Sequence, residues 1–202
     1  MRTITSTILF WGVLLLFGLR PGAFCQMEDL PDENAAPPAK TRVRIESANA
    51  IPGASFSTPV YFTPGKGAAV GRLKIEVNFV SANLKFVKLD HGLLVEKHDL
   101  ELKSELKTDQ NEKGVETSTV MILASFPSAA SPKEGISDGV LAYLVFRVDE
   151  KGRPAKIALR VDAEATDLKT NKPMQNLQAL NAEVDVYAPG NLPTVTCFFF
   201  SH

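Results

Sequence analysis

A chain of 202 residues, 45% hydrophobic and 22% charged, has the composition of one globular domain with tails. Its formal net charge of −1 supplies no basic patch, which argues against a nucleic-acid partner. No GxSxG elbow, P-loop or dinucleotide fingerprint is present, so neither enzyme activity nor a cofactor is expected.

Residues 1–25 read as a signal peptide. Arg2 is a thin positive region, ILFWGVLLLFGL (8–19) an apolar core, and Arg20-Pro21-Gly22 its end. The core is shorter than the ~20 residues a membrane span needs. Ala23 and Cys25 sit at the −3 and −1 positions of a cleavage site before Gln26. Acylation of Cys25 is an alternative, against which the bulky Phe24 argues, and a retained anchor helix is another. The expected location is therefore secreted, periplasmic or at the cell surface, with no stable membrane span in the mature chain. Cleavage removes Trp11, Arg2 and Arg20, leaving a more acidic chain whose only cysteine is Cys197. No intramolecular disulfide is then possible, and Cys197 is either incidental or pairs between chains.

Residues 26–40 (QMEDLPDENAAPPAK) are acidic, rich in Pro and Ala and without apolar periodicity, as a flexible linker is. From Thr41 short alternating runs punctuated by turns predict an all-β domain over 41–189. The runs are 42–47, 58–63, 70–80, 84–89, 117–126, 139–148, 156–162 and 182–187. In 70–80, Leu73, Ile75, Val77 and Phe79 face one way while Arg72, Lys74, Glu76 and Asn78 face the other. Residues 93–107 are rich in helix formers, yet Leu100, Leu102, Ser104 and Leu106 alternate with charged residues, predicting a strand over 100–108. Asp138-Gly139 is a turn that opens into a strand, with Val140, Ala142, Leu144, Phe146 and Val148 on the core face. The other face of that strand, Leu141, Tyr143, Val145 and Arg147, is unusually apolar for one meeting water. Strands at this spacing predict a two-sheet sandwich or jelly roll.

The three histidines are scattered. His91 and His98 could hold a metal with Asp90 or Asp99, but two solvated loop histidines explain the pattern better and no metal is expected. The tail 190–202 ends in Phe198, Phe199 and Phe200, either a last packed strand or a partner-binding segment.

Taken in order, SANAIPGASFSTPVYF (47–62), LKIEVNFVSANLKFVKLDHGLL (73–94), SDGVLAYLVFRV (137–148) and ATDLKTNKPMQNLQALNAEVDVY (165–187) resemble a cohesin domain. That family is the nine-stranded jelly-roll β-sandwich related to cellulose-binding carbohydrate modules. The resemblance spans roughly 42–188 and implies an exported, non-catalytic module that docks a protein in a polysaccharide-related assembly. The implied partner is a dockerin, a calcium-binding helical segment held against one sheet. That sheet would use the strands at 70–80, 100–108, 117–126 and 156–162. Its outward residues would be Arg72, Lys74, Glu76, Asn78, Lys103, Glu105 and Arg160, a heavily charged face for which a solvated surface is the plain alternative.

Two other functions stay open. Direct carbohydrate binding would need exposed rings, and Tyr61 and Tyr143 are the outward candidates, though outward tyrosines more often pack across strands. A structural role in an envelope or secretion complex, with an envelope protein as partner, is the third.

Overall fold

A computed structural model describes residues 40–110, 114–130 and 132–190 of the chain. The predicted signal segment, the linker up to residue 39 and the tail beyond Gly190 lie outside the described residues, as do Cys25, Cys197 and the three terminal phenylalanines.

Eleven strands and one short helix are present among the described residues: β1 (Thr41–Ile45), β2 (Ala48–Ala50), β3 (Ser55–Thr63), β4 (Val70–Val80), β5 (Leu84–His91), α1 (Leu93–His98), β6 (Glu101–Gln110), β7 (Glu116–Ser125), β8 (Gly139–Val148), β9 (Ala155–Asp167), β10 (Leu177–Leu180) and β11 (Ala182–Val186). They form two sheets, one ordered β10-β1-β3-β8-β5 and the other β2-β11-β9-β4-β7-β6. The all-β sandwich is as predicted. All nine predicted runs are strands; β2 and β10, with three and four residues, are too short to show alternation.

Most of the core follows the period-two pattern. Leu73, Ile75 and Val77 of β4, Val120, Ile122 and Ala124 of β7 and Leu144, Phe146 and Val148 of β8 are fully buried between the sheets. Phe146 is the centre of an aromatic cluster, its ring 5.3 Å from that of Phe79, 5.7 Å from Phe56 and 6.0 Å from Phe86. The chain changes sheet at Glu46-Ser47, where the Thr58 hydroxyl donates to the Glu46 carbonyl and Ser47 Oγ accepts the Glu183 N–H at 3.1 Å. It changes again at Asn181, whose side-chain oxygen takes the Val161 N–H at 2.8 Å where the ladder between β9 and β11 stops.

One expectation holds and another needs correction. The strand expected over 100–108 is β6, and the helix formers before it, residues 93–98, form α1, with Leu94 and Val95 buried. Asp99, in the left-handed conformation (φ 50°), ends the helix, and its N–H reaches back to the Glu96 carbonyl. The faces of β8 also change phase. Val60 pairs with Ala142 but Tyr61 with Val140, so Leu141 is an inserted residue, a β-bulge. Leu141, expected outside, is wholly buried, whereas Val140, expected in the core, is half-buried. Gly139 begins this strand at φ 143°, a backbone angle that L side chains avoid.

Candidate docking face

The outer face of the six-stranded sheet is built by strict alternation on four neighbouring strands. From β9 come Arg160, Asp162 and Glu164; from β4, Arg72, Lys74, Glu76 and Asn78. From β7 come Thr119, Met121, Leu123 and Ser125; from β6, Glu101, Lys103, Glu105 and Lys107. Directly opposed residues on antiparallel strands share a face, and the register runs Glu164–Lys74–Leu123–Lys103 in one row and Asp162–Glu76–Met121–Glu105 in the next. Arg160 lies opposite Asn78, which accepts a hydrogen bond from Thr119. All seven residues expected on this face lie on it.

Its centre is less charged than the sequence suggested. Met121 and Leu123 are half-buried and stand between the charged rows of β4 and β6. The sequence reading missed them because TSTVMILASF contains an almost unbroken apolar run, which hides which alternate residues face out. Burial of Val120, Ile122 and Ala124 settles the phase.

The flanking charges are mutually compensated. Lys74 Nζ lies 2.8 Å from Glu76 and 3.9 Å from Glu164, and its hydrogen bond to Glu76 raises the pKa of its ammonium. Lys103 contacts Glu101 at 3.0 Å and Lys107 contacts Glu105 at 3.7 Å. Such exposed pairs contribute little to stability. They set a pattern of charge around an apolar centre. At the Val80 end, Asn78, Val80, Asn83, Ala158, Arg160 and Asp162 border an open groove of about 720 Å³.

The two tyrosines lie elsewhere, on the outer face of the five-stranded sheet, on adjacent strands. Tyr143 stands opposite Pro59 and is exposed. The Arg44 guanidinium sits 4.5 Å from the centre of the Tyr61 ring, and burial raises the Tyr61 pKa above 10.0. One face of that ring is thus already stacked, leaving Tyr143 as the more open of the two rings.

His91 and His98 do not meet. His91 is opposite Ala142 on β5, while His98 Nε2 accepts the Ser137 N–H at 3.1 Å and lies 2.8 Å from the Ser137 hydroxyl. Lys97 Nζ donates to the same hydroxyl at 3.1 Å, so α1 is clasped to the turn that opens β8. No group of three His, Cys, Asp or Glu side chains able to hold a metal occurs among the described residues. Nor does any described helix have the length and hydropathy to cross a membrane.

The clasp makes a pH prediction. Desolvation, with Lys97 nearby, lowers the His98 pKa below its usual 6.5, against a smaller opposing pull from Glu134. A protonated Nε2 could no longer accept the Ser137 N–H. The unfolded chain therefore binds the proton more readily, so the contribution of His98 is complete above pH 6.5 and declines as pH falls through that value toward the folded pKa. Denaturant melts of wild type and His98→Ala should differ most at neutral pH and converge in acid. A gap that widens in acid would contradict the assignment.

The fold is thus a two-sheet β-sandwich whose six-stranded sheet has a partly apolar outer face. A family model described as Cohesin domain matches residues 41–185, and the chain belongs to that family. No curated protein matches. Among solved structures, the seventh ScaB type I cohesin of Pseudobacteroides cellulosolvens is similar at 19% identity and TM-score 0.56, over 78% of this chain and 99% of that one. The third cohesin ScaC of Acetivibrio cellulolyticus, solved with the ScaB dockerin, is 18% identical at TM-score 0.55, over 72% and 98%. A cohesin–dockerin complex of OlpA from Clostridium thermocellum is 16% identical at TM-score 0.55, over 73% and 99%. At these identities the likeness carries the fold.

Proposed function

We propose that this chain is an exported docking module that holds a dockerin-type helical partner on the outer face of the six-stranded sheet. The observation that carries the reading is the Met121–Leu123 centre set between Lys74 and Glu76 on one side and Lys103 and Glu105 on the other. Apolar anchors ringed by polar contacts are the usual composition of a protein-binding hot spot. Family membership supports it, as does the dockerin bound to the similar ScaC cohesin. Export is supported by Arg2, the apolar 8–19 stretch and Ala23-Phe24-Cys25.

The test is capture of secreted proteins of the source organism on the immobilised chain, with and without a calcium chelator. The expected result is a dockerin-bearing protein that elutes on chelation. Leu123→Asp should weaken that capture by at least tenfold, since it buries a charge at the centre of the contact, while Tyr143→Ala on the opposite sheet leaves it unchanged. Capture that ignores Leu123→Asp, or retention on insoluble polysaccharide without any protein, would overturn the reading.

A further inference from the structure

The edge strand β6 is complementary to itself. It is ten residues long, pairs only with β7 among the described residues, and is exposed along nearly its whole length. A long open edge presents unpaired backbone donors and acceptors, a ready template for another strand. Proteins usually blunt such an edge with charged side chains, lysine above all. Here the signs alternate along the outward side: Glu101, Lys103, Glu105, Lys107.

The neighbouring strand leaves these charges unmatched. Opposite them on β7 stand Ser125, Leu123, Met121 and Thr119, none of which is ionised. Their ion pairs run along their own strand, from Lys103 to Glu101 and from Lys107 to Glu105. On the inward side of β6, Leu102 packs partly against the core while Leu106 is 46% exposed.

We infer that β6 pairs antiparallel with β6 of a second copy of this chain, about a two-fold axis at Ser104. In that register Glu101 faces Lys107 and Lys103 faces Glu105, each pair occurring twice, as a two-fold contact requires. Leu102 faces Leu106, which covers the exposed leucine on both copies. Sliding by two residues in either direction sets Lys103 against Lys103 or Glu105 against Glu105, and like charges directly opposite are destabilising. A slide by four, centred on Leu106, restores opposite signs but leaves Leu102 facing Gln110. The Ser104 register alone uses all four charges and both leucines.

This pairing joins two six-stranded sheets into one and keeps both outer faces on the same side. It shares Lys103 and Glu105 with the proposed docking rim, but the backbone edge makes the contact and Met121 and Leu123 stay free. One strand pair buries less than the ~1,600 Å² of a standard interface, so the association is weak and concentration-dependent.

Sedimentation equilibrium of the full chain over a broad concentration range tests it. The wild type should shift from monomer toward dimer mass, less so at high salt. K103E/K107E and E101K/E105K should each stay monomeric but form a heterodimer when mixed, since mixing restores all four pairs. In a C25S/C197S background, Ser104→Cys should form an intermolecular disulfide under mild oxidation. Circular dichroism confirms that each variant is folded. A wild type monomeric throughout, self-association indifferent to these charges (as association through residues 8–19 would be), or absence of the disulfide in the Ser104→Cys variant would overturn the proposal. Leu123→Asp should dimerise like the wild type, so failure of the docking reading leaves this result intact.

Discussion

Phe146→Ala is expected to be the most damaging single truncation in the sandwich, lowering folding free energy by about 3–5 kcal/mol. Phe146 is fully buried and touches rings from three other strands: Phe56 of β3, Phe79 of β4 and Phe86 of β5. Phe79 comes from the opposite sheet, so the cluster ties the two layers together, and its edge-to-face contact at 84° adds to the area buried. Two-sheet cores collapse poorly around a missing ring because each backbone is held by its own ladder. Denaturant melts should show a fall in midpoint with little change in slope, and the melting temperature should drop by roughly 10 °C or more. Phe146→Leu should cost clearly less. A loss below about 1 kcal/mol for the alanine variant would mean that the neighbouring rings close the gap, contrary to this account.

Gly92→Ala is expected to dislodge α1. Gly92 has φ −94° and ψ 172°, which any residue can adopt, so the constraint is purely steric. A Cβ there would sit 2.4 Å from the Val140 carbonyl oxygen, 2.6 Å from the Leu141 carbonyl carbon and 2.8 Å from the Ala142 nitrogen. These are backbone atoms of the β8 bulge and cannot swing aside. The same close approach makes the hydrogen bond from Gly92 N–H to the Leu141 carbonyl at 3.0 Å. The expected cost is about 1–3 kcal/mol, at the upper end because backbone must move. Hydrogen exchange should accelerate at Val95 and Leu100, whose amides bond within this turn, more than at Val77 or Ile122 in the core strands. Unchanged exchange at Val95 would show that the bulge yields easily.

Both residues show where the sequence speaks and where it stops. The period-two pattern of β4 was sufficient to assign each of its side chains to a face, since the charged and polar set Arg72, Lys74, Glu76 and Asn78 cannot be buried unpaired. The resemblance to cohesins implied which strands share the proposed docking face, and alternation within them picked out the seven charged or polar candidates. Met121 and Leu123 were not legible, because β7 carries apolar residues on both faces and its phase depends on which of them the opposite sheet covers. The bulge at Leu141 was invisible for a related reason. A register shift belongs to two strands at once, and the run VLAYLVFRV alternates plausibly in either phase. Likewise α1 occupies only six residues, too few for helical periodicity, and it exists because Leu94 and Val95 have a surface to bury against.

By itself, then, the sequence determined the all-β class, most of the strands, the charged face of β4 and the alternating charges of β6, all encoded in local alternation. Only the tertiary structure decided the phase of apolar strands, the bulge that turns Leu141 inward, the placing of Tyr61 beneath Arg44, and the position of β6 at an open edge. Alternation is a property of one strand and can be read along the chain. Which face is covered, and which edge is free, are properties of pairs of strands far apart in sequence, and they emerge when the two sheets close on each other.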